Sequence, residues 1–344
     1  MIIISITISD IAKLAGVSKG TVSRVINNNP TGMSDETRQR ILDIIEQVGY
    51  VPNRMAGSIG NARTKMLGLI IPDIQNMFFP QMVRGAEDCA SEHGYTLFLC
   101  NSDSDVKKEQ QYLNAFLEKR VNGILINTCG KPLEERTIKS LKQSDVPIVL
   151  LDRKSNQFSN NPGVYINNSE AAFEGVSYLI QNGCEKILFL GGPASTYTTR
   201  ERQVGYQRAL SEAKIEVSSD LISFGEYTAS SGHDRVLSAI SNGIDFDAVF
   251  ACSDMVAVGA LSALREKNID VPGDVSVMGF DNISISSDLS PSLTTMAQPI
   301  YEIGYQAAKR LIDCIENKNC DYGNICLQAK LVVRESTKNF IRNE

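Results

Sequence analysis

The chain has 344 residues, 42% of them hydrophobic, and a formal net charge of −6 at neutral pH. This length suffices for two or three domains, and because no run of eighteen apolar residues occurs we expect neither a membrane span nor a membrane partner. Two histidines and eight cysteines without a CxxC pair predict no metal site and reduced thiols of the kind found in the cytoplasm.

The first fifty residues carry the pattern of three short helices. Thr7 and Asp10 have capping-box spacing, Gly16 marks the end of the first helix, and Ser18 marks the start of the second. The apolar stripe expected on the first helix consists of Ile11, Leu14 and Ala15. A third helix is predicted over residues 34–49. Two short helices joined by a glycine turn predict a helix-turn-helix for the DNA major groove, although a small helical cap on a larger domain would give the same pattern.

Positive charge is concentrated at the N-terminal end of an acidic chain. Residues 1–65 hold eight basic and five acidic side chains, which gives them a net charge of +3. Because the whole chain has a net charge of −6, the residues after 65 carry −9. A basic small domain on an acidic large one predicts phosphate contact at one end only. Because the excess is modest, one copy should bind DNA weakly and two copies on a palindrome should bind it better.

Three segments turn this pattern into a family resemblance. DIAKLAGVSKGTVSRVINN, SDETRQRI and GYVPNRMAGSI, in this order and spacing, resemble the lactose-repressor (LacI) family of bacterial transcription regulators. The resemblance implies a DNA-binding domain over 1–52, a hinge helix and linker over 53–65, and an effector-binding and dimerisation core over 66–344. It implies a palindromic operator contacted by Thr7, Ser18, Lys19, Gly20, Thr21, Ser23, Arg24, Asn27, Asn53, Ala56 and Ile59.

The hinge segment is expected to form a helix only on DNA. In the family this helix lies in the minor groove, and here Ile59 takes the place of the apolar wedge between base pairs. Gly57 and Gly60 each lower helicity by roughly 1 kcal/mol relative to alanine, so the segment should be unfolded without operator. A plain linker is the alternative interpretation.

Beyond residue 65 the pattern alternates strand and helix, which predicts parallel sheets covered on both faces. Two successive doubly wound units indicate an α/β core of two lobes with a cleft between them. The resemblance implies a periplasmic-binding-protein-like core with three crossings between the lobes. We expect the first lobe over about 66–163 and 295–325, the second over about 164–294 and 326–344, and one final strand near 326–333.

No enzyme motif is found, so we expect no catalytic residues and no cofactor. Gly191-Gly192-Pro193 follows a strand but is neither a Walker loop nor a dinucleotide fingerprint, and we interpret it as a tight turn at the edge of the cleft. Four carboxylates closely follow strands, at the edge where open α/β sheets bind ligands: Asp73, Asp152, Asp254 and Asp281.

A further resemblance, to ribose operon repressors and the periplasmic ribose-binding protein, implies which residues bind the effector: Asn76, Phe78, Phe79, Asn127, Asp152, Arg153, Arg202, Tyr227, Ser253, Asp281 and Gln298. Met77 replaces the proline of the sugar-binding members, which predicts a less rigid loop, and Ser253 replaces their asparagine. Because few phosphate-binding features are evident, a free pentose ranks above a phosphosugar or a nucleobase.

Each effector residue also has an ordinary structural interpretation. Phe78 and Phe79 would serve equally as core, Asp152 and Arg153 as a structural ion pair, and Arg202 as the cap of its own helix. Buried carboxylates and guanidinium groups need hydrogen-bond partners, however, and sugar hydroxyls supply them.

The sequence therefore predicts a homodimeric, cytoplasmic, operator-binding repressor of a carbohydrate-utilisation operon, controlled by a small sugar effector. The family pairs its first lobes partly through the helix near 79–93, and because no leucine heptad follows Val332-Val333 a tetramer is not expected. The alternatives are a regulator that uses a purine, a phosphosugar or a phosphoprotein corepressor, a sugar-binding protein without operator function, and a sugar-processing enzyme.

Overall fold

The computed structural model describes residues 6–26, 29, 32–50, 65–317 and 323–338. The chain forms two compact units, Met1–Thr64 and Lys65–Glu344. Four of the predicted DNA contacts lie outside the described residues: Asn27, Asn53, Ala56 and Ile59.

The first unit contains three helices, α1 (Ile8–Ala15), α2 (Lys19–Ile26) and α3 (Asp35–Gln47). The Asp10 carboxylate accepts hydrogen bonds from the amide and the hydroxyl of Thr7 at 3.0 and 2.6 Å, which closes the capping box at the start of α1. Gly16 ends α1 with a φ of 65°, a left-handed conformation that glycine adopts without strain. Ser18 caps α2 by accepting the Thr21 amide at 3.1 Å.

The core of this unit joins all three helices through the side chains of Ile11, Ala12, Ala15, Val22, Val25 and Ile41. The stripe predicted for α1 is wrong at one position, because Leu14 is 62% exposed and Ala12 is buried instead. Ala12 packs in one cluster with side chains of α2 and α3, so the buried face of this two-turn helix extends from Ile11 and Ala15 towards Ala12 and not towards Leu14.

The second unit contains two parallel-stranded sheets of six strands each. The first consists of β1 (Met66–Ile71), β2 (Thr96–Asn101), β3 (Gly123–Ile126), β4 (Ile148–Leu151), β5 (Gly163–Ile166) and β11 (Ile325–Leu327), in the order β11-β5-β4-β3-β1-β2. The second consists of β6 (Ile187–Gly191), β7 (Ile222–Phe224), β8 (Ala248–Ala251), β9 (Ser276–Asp281), β10 (Thr294–Ala297) and β12 (Lys330–Val332), in the order β12-β10-β9-β8-β6-β7, with β12 antiparallel.

Helices cover these sheets in the alternation that the sequence predicted. They are α4 (Phe78–Glu92), α5 (Val106–Glu118), α6 (Glu135–Gln143), α7 (Asn168–Gln181), α8 (Tyr197–Glu212), α9 (Ala229–Ser241), α10 (Asp254–Glu266) and α11 (Ile300–Asn317). Four of the fully buried strands, β3, β4, β5 and β8, are continuous apolar runs, as expected for parallel strands covered on both faces.

The chain crosses between the lobes three times: after β5, after β10, and between β11 and β12. The expected lobe boundaries are therefore displaced. β5 pairs with β4 in the first lobe and β10 pairs with β9 in the second, each opposite to the expectation. The single strand expected near 326–333 is two short strands, one in each sheet. An apolar run predicts a strand, but only long-range pairing decides which sheet the strand joins.

Within the described ranges, no helix is long and apolar enough to cross a membrane. The same parts of the chain contain no group of three His, Cys, Asp or Glu side chains arranged to hold a metal ion.

Candidate functional site

A cavity of about 280 Å³ lies between the two lobes, at the carboxyl ends of strands from both sheets. It is lined by Asn76, Phe78, Phe79, Asp152, Arg153, Thr198, Arg202, Tyr227, Ser253, Asp281 and Gln298. Ten of the eleven predicted effector residues are in this lining. The eleventh, Asn127, lies directly behind it and donates a hydrogen bond from Nδ2 to Oδ2 of Asp152 at 3.3 Å.

The first lobe contributes a buried carboxylate and a buried guanidinium whose hydrogen bonding is incomplete. Asp152 follows β4 with a φ of 60°, an uncommon left-handed conformation for a residue with a side chain. Nη1 of Arg153 donates to the Thr128 carbonyl at 3.0 Å. Nε of Arg153 is 3.9 Å from Oδ2 of Asp152, too far for a hydrogen bond. Asp152 Oδ1, Asn127 Oδ1 and Arg153 Nε are buried without a partner, so these groups are not a self-contained structural pair.

The second lobe holds Arg202 rigidly against Asp281. Nε of Arg202 donates to Oδ1 of Asn168 at 2.8 Å and Nη1 donates to the Cys252 carbonyl at 2.5 Å. Its guanidinium carbon lies 3.7 Å from the centre of the Phe280 ring, a cation–π contact. Nη1 is also 3.9 Å from Oδ1 of Asp281. Because α8 begins at Tyr197, Arg202 lies in its second turn and does not cap the helix.

Asp281 is connected to the crossing that follows β10. Nε2 of Gln298 donates to Oδ1 of Asp281 at 2.7 Å, while Oε1 of Gln298 is buried without a partner. Asp281 has a φ of 121°, and backbone strain of this kind is concentrated at functional sites.

Aromatic rings form the apolar walls. Phe78 and Phe79 open α4 with their ring centres 5.2 Å apart at 84°, and both are buried. Oδ1 of Asn76 accepts the Phe78 amide at 3.0 Å, so the loop is anchored even though Met77 stands where the resemblance led us to expect proline.

Tyr227 is positioned from both of its ends. Its hydroxyl lies 2.7 Å from Oγ1 of Thr199 and 3.1 Å from Oγ1 of Thr198. A Cβ on Gly192 would lie 2.1 Å from the Tyr227 ring, so only glycine leaves space for the ring there. The turn expected at Gly191-Gly192-Pro193 therefore also allows the Tyr227 ring to approach the backbone closely.

Burial raises the pKa of the Asp152 carboxyl, and Arg153 and Arg202 partly oppose the rise. The pKa of Asp281 is raised further, well above its ordinary value, mainly by burial and against the influence of Arg202. Buried carboxylates of this kind favour a ligand that donates hydrogen bonds to them.

Of the four carboxylates that follow strands, Asp254 and Asp73 do not line the cavity, unlike Asp152 and Asp281. Asp254 is fully buried, and its oxygens accept hydrogen bonds from the Thr295 hydroxyl at 2.7 Å, the Ser286 hydroxyl at 2.6 Å and the Ile283 amide at 2.9 Å. It therefore has a structural role. Asp73 is only partly buried and accepts the Gln75 amide.

Two small residues of the lining have unremarkable sequence contexts. Ser253 caps α10, its Oγ accepting the Val256 amide at 3.3 Å. Thr198 was not among the predicted residues, because a threonine in the first turn of a helix carries no local signal that distinguishes it.

In the first unit, the predicted base-contacting residues Lys19, Gly20 and Arg24 are exposed on α2. Nε of Arg24 lies 3.4 Å from the Gly20 carbonyl. Thr21 and Ser23 are partly buried on the same helix, and Thr7 and Ser18 are occupied in capping α1 and α2.

The chain matches two family descriptions. Residues 7–53 match bacterial regulatory proteins of the lacI family, and residues 64–335 match periplasmic binding proteins and the sugar binding domain of the LacI family. It is 36% identical to catabolite control protein A of Priestia megaterium, over 97% of this chain and all of that one. It is also 36% identical to the ribose operon repressor of Halalkalibacterium halodurans, over 96% and 97%. The crystal structure of the lac repressor dimer bound to operator and the anti-inducer ONPF is 26% identical, with a TM-score of 0.84 and coverage of 97% and 99%.

Proposed function

The chain belongs to the LacI family of bacterial regulatory proteins, and from this premise we propose that it is a dimeric repressor of a carbohydrate-utilisation operon. It is a sequence-specific, DNA-binding transcriptional regulator, and its operator is a palindrome read by two copies of α2. A small sugar in the interlobe cavity controls its affinity for the operator. As a DNA-bound regulator it works in the bacterial cytoplasm.

The observation that carries the effector assignment is the set of buried polar atoms around the cavity that lack a partner. Acceptors are left open on Asn127, Asp152 and Gln298, and a donor is left open on Arg153. Leaving such groups unsatisfied costs about 1–3 kcal/mol each, so a ligand that satisfies them gains affinity. Sugar hydroxyls donate and accept at once, and the C–H faces of the ring fit against aromatic walls.

A pentose is the ligand class that we propose for this site. The lining combines hydrogen-bonding groups from both lobes with aromatic walls in one cavity, which suits a small polyol. Ribose is the first candidate, because the ribose operon repressor is among the similar proteins. Binding without turnover is proposed, since His93 hydrogen-bonds the Cys89 carbonyl and His233 pairs with Glu266, both away from the cavity lining.

The position of the cavity between two lobes explains how a bound ligand can control operator affinity. A ligand that contacts both lobes favours the arrangement in which they close, because it gains its full set of contacts only there. We infer that closure changes how the two hinge segments of a dimer meet, and with it operator affinity.

The test is calorimetry on wild type and Asp281→Ala with ribose, other pentoses, purines and sugar phosphates, beside an operator titration of each protein. Each hydrogen bond to a charged group contributes roughly 1.5–3 kcal/mol, so Asp281→Ala should lower pentose affinity at least tenfold. Operator binding without ligand should be unchanged, and the exposed carboxylate variant Asp288→Ala should behave as wild type.

Other results would identify the alternatives. A wild type that ignores every pentose and binds a purine or a sugar phosphate would make the sugar assignment wrong and leave the DNA-binding function intact. A requirement for a phosphoprotein in the operator titration would indicate a corepressed mode. A chain that binds ribose but shifts no operator fragment in a gel would be a sugar-binding protein only.

A further inference from the structure

A second, larger cavity of about 800 Å³ also spans the two lobes. An intermediate cavity of about 630 Å³ connects it with the sugar cavity: it shares Arg153 and Tyr227 with the sugar cavity, and Lys131 and Ser195 with the second one. The second cavity is thus a neighbouring compartment with its own lining, and none of the predicted effector residues lines it.

The lining of this second cavity is positively charged. Lys131 and Lys154 come from loops of the first lobe and Arg200 comes from α8 of the second, and none of the described residues that line the cavity is acidic. This composition is unusual in a region that carries a net charge of −9 after residue 65. Three cations from two lobes repel one another across the opening unless an anion lies between them.

Two of the cations, Lys154 and Arg200, make contacts within the protein that orient them towards the cavity lining. Nζ of Lys154 lies 5.4 Å from the centre of the Tyr165 ring and 5.5 Å from that of Tyr197. Nη1 of Arg200 donates to the Ser195 carbonyl at 2.7 Å, which directs the guanidinium along the first turn of its helix. Groups that are already ordered lose less conformational entropy when a ligand binds.

Two further features suit an anion. Thr128 lines the cavity, is only 3% exposed, and has a hydroxyl Oγ1 with no hydrogen-bond partner. The sixteen-residue helix α8 begins at Tyr197, another lining residue, so first-turn amides and the positive end of the helix dipole lie at the cavity.

We propose that this cavity binds a phosphoryl group, supplied either by inorganic phosphate or by a phosphorylated metabolite that enters the cleft. Lys131, Lys154 and Arg200 contact its oxygens, and the Thr128 hydroxyl donates to it. Because the cations belong to different lobes, the anion joins the lobes and favours closure. The site goes beyond the proposed function and does not require the sugar cavity to bind a pentose.

The experiment is calorimetry on the full chain at constant ionic strength, with inorganic phosphate, ribose and ribose 5-phosphate as probes. In the Lys154→Gln/Arg200→Gln double variant, phosphate affinity should fall at least tenfold while ribose affinity is retained. The matched control is Lys139→Gln, an exposed lysine on α6 outside the cavity, which should bind phosphate as wild type does. Lys154→Arg keeps the charge and should retain binding, which separates a lost cation from a misfolded variant.

The probes distinguish the two sources of the phosphoryl group. Binding of inorganic phosphate that depends on Lys154 and Arg200 supports an independent anion. Binding of ribose 5-phosphate alone, with the same dependence, supports a cleft ligand that extends into this compartment. If the double variant binds both phosphates as wild type does, or if wild type binds neither, the proposal is overturned. A failure of ribose binding alone would contradict only the sugar assignment.

Discussion

At the scale of single residues, the position of Tyr227 depends on the lack of a side chain at Gly192. Two threonine hydroxyls fix its phenol end, and the lack of a Cβ on Gly192 leaves room for its ring. The wall of the sugar cavity is therefore encoded partly in a turn whose residues do not line that cavity.

Gly192→Ala should disable this wall without unfolding the protein. The new methyl would lie 2.1 Å from the ring, so Tyr227 must move out of its place against the ligand. We expect sugar affinity, measured by calorimetry, to fall at least tenfold, equivalent to about 1.4 kcal/mol or more. Gly20→Ala is the control, because its methyl would meet only Oγ of Ser18, at 3.6 Å. Unchanged affinity in Gly192→Ala would show that the wall is dispensable.

Arg24 is the residue of α2 best suited to read a base. It is exposed, and an arginine paired bidentately with guanine contributes about 1–3 kcal/mol of discrimination. Arg24→Ala should weaken operator binding far more than binding to unrelated DNA in parallel titrations. Lys13→Ala removes an exposed charge from α1 instead and should weaken both to a similar degree. An equal loss on both DNAs in Arg24→Ala would reassign Arg24 to phosphate contact.

Most of the cavity lining was predictable from the family resemblance, and the strand pattern agrees with it because parallel strands present their carboxyl ends at one edge, where polar residues after strands converge. The pattern could not separate Asp281, which faces the cavity, from Asp254, which does not. Two of the three partners of Asp254 are hydroxyls on residues 32 and 41 positions later in the chain, beyond the reach of any local pattern.

At the scale of elements, β2 is the exposed edge of the first sheet. Phe98 and Leu99 are 45% and 41% exposed, and an apolar edge strand of this kind is typical of a surface covered by another chain. We expect the dimer to pair its first lobes, and we therefore propose that this edge is part of the interface.

Phe98→Glu should therefore weaken the dimer. A carboxylate at a buried interface loses its hydration, and we expect self-association in sedimentation experiments to weaken at least tenfold. Val204→Glu, on α8 of the second lobe, changes a side chain that is 51% exposed and should leave the dimer intact. A stable tetramer of the wild type, or a Phe98→Glu protein that dimerises normally, would contradict this assignment.

The alternation of strand and helix was predictable, but the sheet that the strands near the lobe boundaries join was not. The final apolar segment was expected to form one strand, whereas Gln328 and Ala329 carry the chain from β11 in one sheet to β12 in the other. Local periodicity determines which residues adopt an extended, strand-like conformation. Pairing with sheet edges formed by residues distant in the sequence determines which sheet they join.

At the scale of the whole molecule, buried carboxylates make stability depend on pH. Burial raises the pKa of Glu109, Asp152, Asp254 and Asp281. A carboxyl with a raised pKa in the folded state contributes stability that is complete below its unfolded pKa and is lost as the pH rises through the folded pKa.

Without ligand, the contribution of these carboxyls to the free energy of unfolding by urea should therefore rise as the pH is lowered from about 7.5 towards their ordinary pKa of about 4. The raised pKa of His233, beside Asp234 and Glu266, acts in the same direction. The contribution of the cavity is isolated by Asp281→Asn, which should reduce the pH dependence. A pH dependence in Asp281→Asn identical to that of the wild type would contradict the prediction.

The three crossings between the lobes also impose an order on biosynthesis. The helices of the first unit are complete once Gln47 has left the ribosome, whereas neither six-stranded sheet is complete until β11 and β12 emerge near residue 330. At about 5–20 residues per second, this interval lasts roughly a quarter of a minute to a minute. A nascent chain therefore has its DNA-reading helices well before it has a complete effector-binding core.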